Sequence, residues 1–422
     1  MIDNAELEVA RSIESAIGSE NVSEPGELSL DGLRPKLVAR PGSADEVAAC
    51  LKLCAEAGLA VVPAGNMTWL ESGNLLRRAD VVLSLTRMHR VIDYSPPDLT
   101  ATVEAGVILH QFNALTSESR QWLPLDPPGL ASATLGAIAA CNSSGALRLG
   151  FGTPRDYVIG LKLAHADGTQ SKSGGRVVKN VAGYDMNKLY VGSCGTLAVI
   201  TELTFKLRPL PERDATLVIT AKDRGPLFEF ARRVLESELQ PASVSLARRL
   251  IPDADDALLI RFIDSKAAVE YELERVKGAI DESLQATDLS DEDSEHVWRK
   301  LADLNQHTIG IKLSVPLTSV PAQFEKALLA HFDCVAGADI GTGIIRLAFD
   351  GNKGEVIDLI RSFRANTATV GGTLFIEKAP PEIRSEADAW GDVGAAASLM
   401  RSIKEKFDPQ SVLNPGKFVA GI

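Results

Sequence analysis

Residues 174–211 read GGRVVKNVAGYDMNKLYVGSCGTLAVITELTFKLRPLP, and the rest of the chain is best read outward from this stretch. A glycine pair and a basic run lead into a short helix-like span from Tyr184 to Leu189. The turn Gly192-Ser193-Cys194-Gly195-Thr196 follows, then a strand-forming run from Leu197 to Phe205 that ends before Pro209 and Pro211. β-branched and aromatic residues suit a pleated, half-buried surface. A glycine turn ahead of such a strand can present backbone N–H groups to an anion or let a flat ring lie against the main chain. The pattern implies a bound cofactor without saying which one.

Composition narrows the alternatives. The chain has 422 residues, 45% apolar and 24% charged, enough for two or three domains with separate cores. A net charge of −12 with no offsetting basic tract argues against nucleic acid as the main partner. No apolar run reaches the roughly 18–20 residues of a membrane span. The first residues are acidic and lack an apolar leader core, so a cytoplasmic location is expected, with any membrane association made through partners. Cys50, Cys54, Cys141, Cys194 and Cys334 form no C-x-x-C pair, which points to neither a disulfide framework nor an iron–sulfur site. The six histidines fall in no metal-ligand spacing, and no metal is expected.

N-terminal to the opening stretch, LVARPGSADEVAACLKLCAEAGLAVVPAG reads as strand, helix and strand. Ser43 and Glu46 have capping-box spacing, and Val47, Cys50, Leu51 and Cys54 form the buried stripe. The turn Ala64-Gly65-Asn66-Met67-Thr68 can aim N–H groups at a phosphate, although neither the P-loop nor the Rossmann fingerprint occurs. Further strands are expected at 81–85 and 100–106, and a helix near Ile108. Residues 134–145 are almost all small and allow close approach of another surface, which tight helix–sheet packing would also explain. After Pro211 strands and helices alternate in a β-α-β-β-α-β pattern, which implies an antiparallel sheet with helices on one face. The acidic run 288–295 reads as a solvated loop. The tail ends in a helix over 392–406 and a proline-stiffened segment, docked against something.

Four separated stretches resemble one family, the FAD-binding oxidoreductases of the vanillyl-alcohol oxidase (PCMH) type. They are Pro63 to Thr68, Thr134 to Gly145, Lys179-Asn-Val-Ala-Gly-Tyr-Asp185 with Gly192 to Ile200, and Leu413-Asn-Pro-Gly-Lys417. Within the family, the GGRVVKNVAGYD spelling looks most like the GlcE-type FAD subunit of glycolate oxidase. The resemblance implies an α+β fold with a two-subdomain FAD-binding domain and an antiparallel-sheet cap carrying helices. The expected boundaries are a helical segment at 1–33, the FAD-binding domain at 34–213, the cap at 214–378 and a returning segment at 379–422.

Carried over by position, the resemblance implies FAD contacts from Pro63, Ala64, Gly65, Asn66, Met67, Thr68, Pro128, Thr134, Gly136, Ala137, Ala140, Asn142, Ser143, Gly145, Lys179, Asn180, Gly195, Ile200 and Asn414. No histidine occupies the 64–68 turn, where some relatives attach flavin covalently, so non-covalent FAD is expected. The implied reaction oxidises a small 2-hydroxy acid to the 2-keto acid by hydride transfer to flavin N5. Electrons would leave to a GlcD-like and an iron–sulfur subunit or to an external acceptor. Tyr184, Arg346 and Glu377 are the catalytic candidates, Arg346 as carboxylate clamp and Glu377 as base. The metal-linked histidine pair of the lactate dehydrogenase branch has no counterpart. A sugar or lactone substrate, and a non-catalytic FAD-binding subunit, remain alternative readings.

Overall fold

The computed structural model describes residues 4–175, 184–252, 254–304, 307–330 and 333–422. Three large sheets and one two-stranded pair organise them, mixing helix and strand throughout. The first contains β1 (Val22–Ser23), β2 (Leu37–Ala39), β3 (Val61–Ala64) and β4 (Val81–Ser84) in the order β1-β2-β4-β3, with β4 parallel to both β2 and β3. Helix α1 (Asn4–Ile17) packs on α2 (Ala44–Glu56), whose Val47, Cys50, Leu51 and Cys54 are all buried. Ser43 caps α2 by accepting from the Glu46 N–H at 3.2 Å. The Glu46 carboxylate accepts from the N–H of Gly42 at 2.7 Å, so the reciprocal half of the expected box is displaced by one residue.

The second sheet is antiparallel, with β10 (Val199–Lys206) at its centre. Its order is β5 (Val91–Ser95), β6 (Thr100–Glu104), β10, β8 (Val158–Ala164) and β9 (Gln170–Gly174). Between these strands lie α3 (Leu109–Ser117), β7 (Gln121–Trp122), α4 (Leu135–Cys141), the single-turn helices α5 (Arg148–Phe151) and α6 (Pro154–Tyr157), and α7 (Asn187–Tyr190). β11 (Arg208–Pro209) pairs with β7. The strand expected at 197–205 is therefore the axis of this half of the molecule. Leu203 and Phe205 are fully buried there, which explains the β-branched and aromatic run.

From Arg213 the chain builds an eight-stranded sheet in which each neighbouring pair of strands is antiparallel. β12 (Arg213–Ala221), α8 (Arg224–Leu235), β13 (Ser243–Ile251), β14 (Ala254–Asp264), α9 (Lys266–Gly278) and β15 (Leu284–Asp288) make one βαββαβ unit. Helix α10 (Asp291–Ala302) leads to a second unit of β16 (Ile309–Ser314), α11 (Val320–Ala330), β17 (Val335–Asp339), β18 (Ile344–Phe349), α12 (Lys353–Ala368) and β19 (Thr373–Lys378). The strand order β15-β12-β14-β13-β17-β18-β16-β19 joins the units through the second strand of each. α8, α9, α11 and α12 bury one face of this sheet.

α10 lies on the opposite face, where Val297, Trp298 and Leu301 meet Val218, Ala247 and Leu259. Here the sequence expectation fails: the acidic run is not a loop but the end of β15 and the first turn of α10. Ser290 caps that helix, accepting from Asp293 N–H at 3.2 Å. Asp291, Glu292 and Asp293 sit at the positive end of its dipole, which favours acidic residues in a first turn. The chain closes with α13 (Pro381–Arg384) and α14 (Ala396–Phe407), then runs beside β3: Val61 N–H donates to Val412 O at 2.7 Å, and Asn414 N–H to Val61 O at 3.0 Å.

Candidate active site

One cavity of about 480 Å³ lies between the first two sheets and the eight-stranded sheet. One of its walls is largely backbone. The 65–68 turn leaves β3 at the sheet's C-terminal edge, and among the described residues the N–H groups of Gly65, Asn66, Met67 and Thr68 donate to no acceptor. Unpaired main-chain donors in succession fit an anion. Met67, Asn142, Cys194 and Asn414 all line the cavity with left-handed backbone, at φ 60°, 47°, 53° and 43°. Such conformations in non-glycine residues gather at functional sites. Gly65 is packed so closely that a Cβ would stand 2.2 Å from the Thr134 hydroxyl oxygen, and Thr134 is itself buried as the cap of α4. Trp69 also lines the cavity, and its buried indole N–H has no partner among the described residues.

The C-terminal segment fixes this wall. Lys404 on α14 is buried and donates to Asp408 at 2.6 Å, to Leu413 O at 2.9 Å and to Thr196 O at 2.8 Å. The last bond ties the tail directly to the Gly192–Thr196 turn. Burial pushes the Lys404 amine down from its ordinary value, opposed by the Asp408 charge. Asn414 donates to Cys194 O at 2.8 Å. Lys417 reaches Asp31 at 3.1 Å, and Arg384 reaches the other oxygen of the same carboxylate at 2.6 Å, forming a buried triad.

The facing wall is made of charged side chains from the eight-stranded sheet. Lys312 on β16 and Arg346 on β18 are direct cross-strand partners. Like charges opposite each other repel, and two carboxylates offset that repulsion. Arg346 lies 3.4 Å from Asp339 and 3.4 Å from Glu377, and donates to Ser144 O at 3.1 Å. Lys312 lies 3.5 Å from Glu377 and 5.0 Å from the Phe375 ring centroid. A register shift next to Glu377 explains its position. β16 pairs Ile311 with Ile376 but Gly310 with Lys378, leaving Glu377 as the extra residue of a bulge. A bulge re-aims a side chain, and Glu377 and Lys378 both line the cavity.

Burial raises the Asp339 carboxyl above its ordinary value despite Arg346 and the Ser245 hydroxyl, which donates at 2.6 Å. Burial also acts to raise Glu377, but the Arg346 and Lys312 charges outweigh it and hold that carboxyl below its usual value. Lys312 is pushed down, chiefly by burial. Arg148, at the start of α5, lines the same cavity. Its guanidinium has no hydrogen-bond or ion-pair partner among the described residues, and its charge is felt at Lys312 and Asp339.

The cavity brings together most of the residues expected from sequence. Pro63, Ala64, Gly65, Met67, Thr68, Pro128, Thr134, Gly136, Ala137, Ala140, Asn142, Ser143, Gly145, Gly195, Ile200 and Asn414 line it, as do Arg346 and Glu377. Asn66 instead turns its amide to Ser132 O at 2.9 Å. Tyr184 is 95% exposed and is not part of the cavity lining. Lys179 and Asn180 lie outside the described residues. Sequence reasoning missed Trp69, Arg148, Lys312 and Asp339. For Lys312 the only available signal was the alternating pattern of IGIKLS, which puts the lysine on the face away from the helices.

Residues 35–174 match the FAD binding domain family, and residues 389–418 match the C-terminal domain of FAD linked oxidases. The chain is thus an FAD-linked oxidoreductase, and FAD is its cofactor. Its fold is that of PCMH-type flavoproteins: p-cresol methylhydroxylase superposes with a TM-score of 0.78 at 14% identity, over 98% of this chain and 97% of that one. Among curated relatives, glycolate oxidase subunit GlcD of Bacillus subtilis is 28% identical, covering 92% of this chain and 89% of its own. A D-lactate dehydrogenase of Archaeoglobus fulgidus is 29% identical over 91% of each chain. A GlcD subunit therefore stands among these relatives, where the sequence reading pointed to a GlcE-type subunit. The unpaired N–H groups, the orphaned Trp69 donor and the small-residue wall fit FAD, whose phosphates need donors and whose rings need close approach to backbone. Among the described residues no helix is long and apolar enough to cross a membrane, and no cluster of three or more His, Cys, Asp or Glu is placed to hold a metal ion.

Proposed function

We propose that the protein oxidises the CH–OH group of a small 2-hydroxy acid to the 2-keto acid. The observation that carries this reading is the cationic wall of Arg148, Lys312 and Arg346, which holds one carboxylate, Glu377, across the cavity from the backbone-built wall. Relatives named as a glycolate oxidase subunit and a D-lactate dehydrogenase support the same substrate class.

Gly65 to Thr68, Thr134 to Gly145, Gly195 to Ile200 and Asn414 would hold the cofactor. FAD, when bound, supplies the two-electron acceptor for the hydride. Arg148, with no hydrogen-bond or ion-pair partner among the described residues, binds the substrate carboxylate. Glu377 is held ionised by Arg346 and Lys312 and takes the hydroxyl proton. Arg346 is a positioning residue, because each of its three nitrogens already donates, to Glu377, Asp339 and Ser144 O. The FAD is non-covalent in this reading, and the protein cytoplasmic. Electrons then pass to a partner, a GlcD-type or iron–sulfur subunit, or to an external acceptor. The KNVAGYD spelling supports a GlcE-type role within such an assembly.

The test is anaerobic titration of the FAD-loaded chain with glycolate, D-lactate and a neutral alcohol of similar size. Bleaching of the flavin absorbance by a hydroxy acid is expected. Bleaching by the neutral alcohol alone would sink the substrate assignment, and a colourless chain that takes up no FAD would sink the cofactor.

A further inference from the structure

The Gly192–Thr196 turn brings a second reactive group to the cavity. Gly192 N–H donates to Ala139 O at 3.0 Å, and Cys194 N–H donates to Ala140 O at 2.8 Å. These two bonds sew the turn to the last residues of α4 and set Cys194 beside Cys141. Both side chains line the cavity; Cys141 is exposed, Cys194 half-buried, and neither is in a disulfide. Interaction with the Cys194 thiol draws Cys141 below its ordinary value, with help from the charges of Lys417 and Lys312, while Cys194 is pushed well up. The thiolate is the nucleophile in sulfur chemistry.

The other three cysteines contrast with this pair. Cys50, Cys54 and Cys334 are buried, and burial pushes their thiols up to about 12, about 12 and about 11. Cys50 and Cys54 are also one turn apart on a helix, where Cβ atoms stand about 5–6 Å apart. A disulfide needs about 3.5–4.5 Å.

We propose that Cys141 and Cys194 form a peroxide-responsive dithiol inside the cofactor cavity, closing to a disulfide that joins the end of α4 to the Gly192–Thr196 turn. The sulfur of Cys141 attacks one oxygen of hydrogen peroxide. The O–O bond breaks, leaving a sulfenic acid on Cys141, and the other oxygen departs as water with the thiol proton. The sulfur of Cys194 then displaces the sulfenic hydroxyl, forming the S–S bond and releasing a second water with its own proton. Two thiols and one peroxide give one disulfide and two waters, and an external dithiol reverses the change. The pair is independent of the substrate assignment.

The full chain, with and without added FAD, is treated with hydrogen peroxide, alkylated and digested without reduction. A cross-linked peptide containing Cys141 and Cys194 is expected, about 2 Da lighter than the sum of its two thiol peptides because two hydrogens leave, and dithiothreitol separates it. Cys141→Ser should abolish the cross-link. Cys194→Ser should strand the sulfenic acid on Cys141, where dimedone traps it. The proposal is overturned if both thiols stay fully alkylatable after peroxide, if Cys141 gains oxygen without cross-linking in the wild-type chain, or if the cross-link contains any other cysteine.

Discussion

The two walls of the cavity are built on opposite principles. The wall proposed to hold FAD presents main chain: small residues, left-handed turns and, among the described residues, N–H groups with no acceptor. The wall from the eight-stranded sheet presents charge: Lys312, Arg346, Asp339 and Glu377, held together by antiparallel register and one bulge. A main-chain wall recognises a large cofactor that stays the same, because its geometry depends little on which side chains surround it. A side-chain wall can be changed residue by residue, which suits it to substrate choice. The contrast makes distinct demands on mutants of each wall.

The largest effect should come from Arg346→Ala. Asp339 and Glu377 would lose their shared cation inside a mostly buried cluster, and breaking a buried pair costs about 3–5 kcal/mol. Urea denaturation of the variant should show that loss. A change under about 1 kcal/mol, the scale of surface pairs, would mean that this wall is solvated and the contrast overstated. Next comes Arg148→Ala, which removes no hydrogen bond or ion pair among the described residues and so should change stability little. Losing a charged hydrogen bond to the substrate, about 1.5–3 kcal/mol, should raise KM for a hydroxy acid roughly 10- to 100-fold, while a neutral alcohol is unaffected. Equal losses for both substrates would remove the carboxylate role.

On the main-chain side, Gly65→Ala forces a methyl against the Thr134 hydroxyl at 2.2 Å, and Thr134 cannot yield without uncapping α4. Overpacking of this kind costs about 1–3 kcal/mol, and it should appear in FAD titration of the apoprotein as a weaker Kd. Unchanged FAD affinity would show that this turn is not part of the cofactor wall.

How far the sequence revealed these walls follows from the same contrast. Gly65, Thr134, Gly145 and Gly195 could be located in the sequence because a backbone-built surface leaves a local signature of small residues, whatever the distant chain does. The central strand at 199–206 and the antiparallel sheet after Pro211 could likewise be read from periodicity and strand–helix alternation. Lys312 and Asp339 could not. Each is a single charge on an alternating strand, and it meets Arg346 only through pairing across 34 residues in one direction and 7 in the other. The bulge that turns Glu377 inward depends on the register of β16, which no local pattern announces. The acidic run 288–295 was misread for a related reason: charge density looks like solvent exposure, yet the same carboxylates stabilise a helix N-terminus.

The smallest effect tests the seam between the walls. Asp126 accepts from the N–H groups of Gly145 at 2.8 Å and Leu147 at 2.9 Å, and so anchors the end of the small-residue segment. Burial pushes its carboxyl up to about 6, against the pull of those two bonds and of Arg261; Asp339 adds to the rise. The native state therefore keeps a proton that the unfolded chain has lost between about pH 4 and pH 6, since an unperturbed aspartate titrates near 3.9. Where the native state binds more protons, stability falls as pH rises, so the contribution of Asp126 to stability falls through that window and no further beyond it. Asp126→Asn has no such proton to hold. Its Tm, measured relative to wild type, should climb from pH 4 to about pH 6 and then level off, whatever constant offset the altered hydrogen bonding imposes. A difference that stays flat across the window would mean that Asp126 is ionised throughout. The seam would then be polar and hydrated, and the two walls would grade into each other instead of meeting at a dry edge.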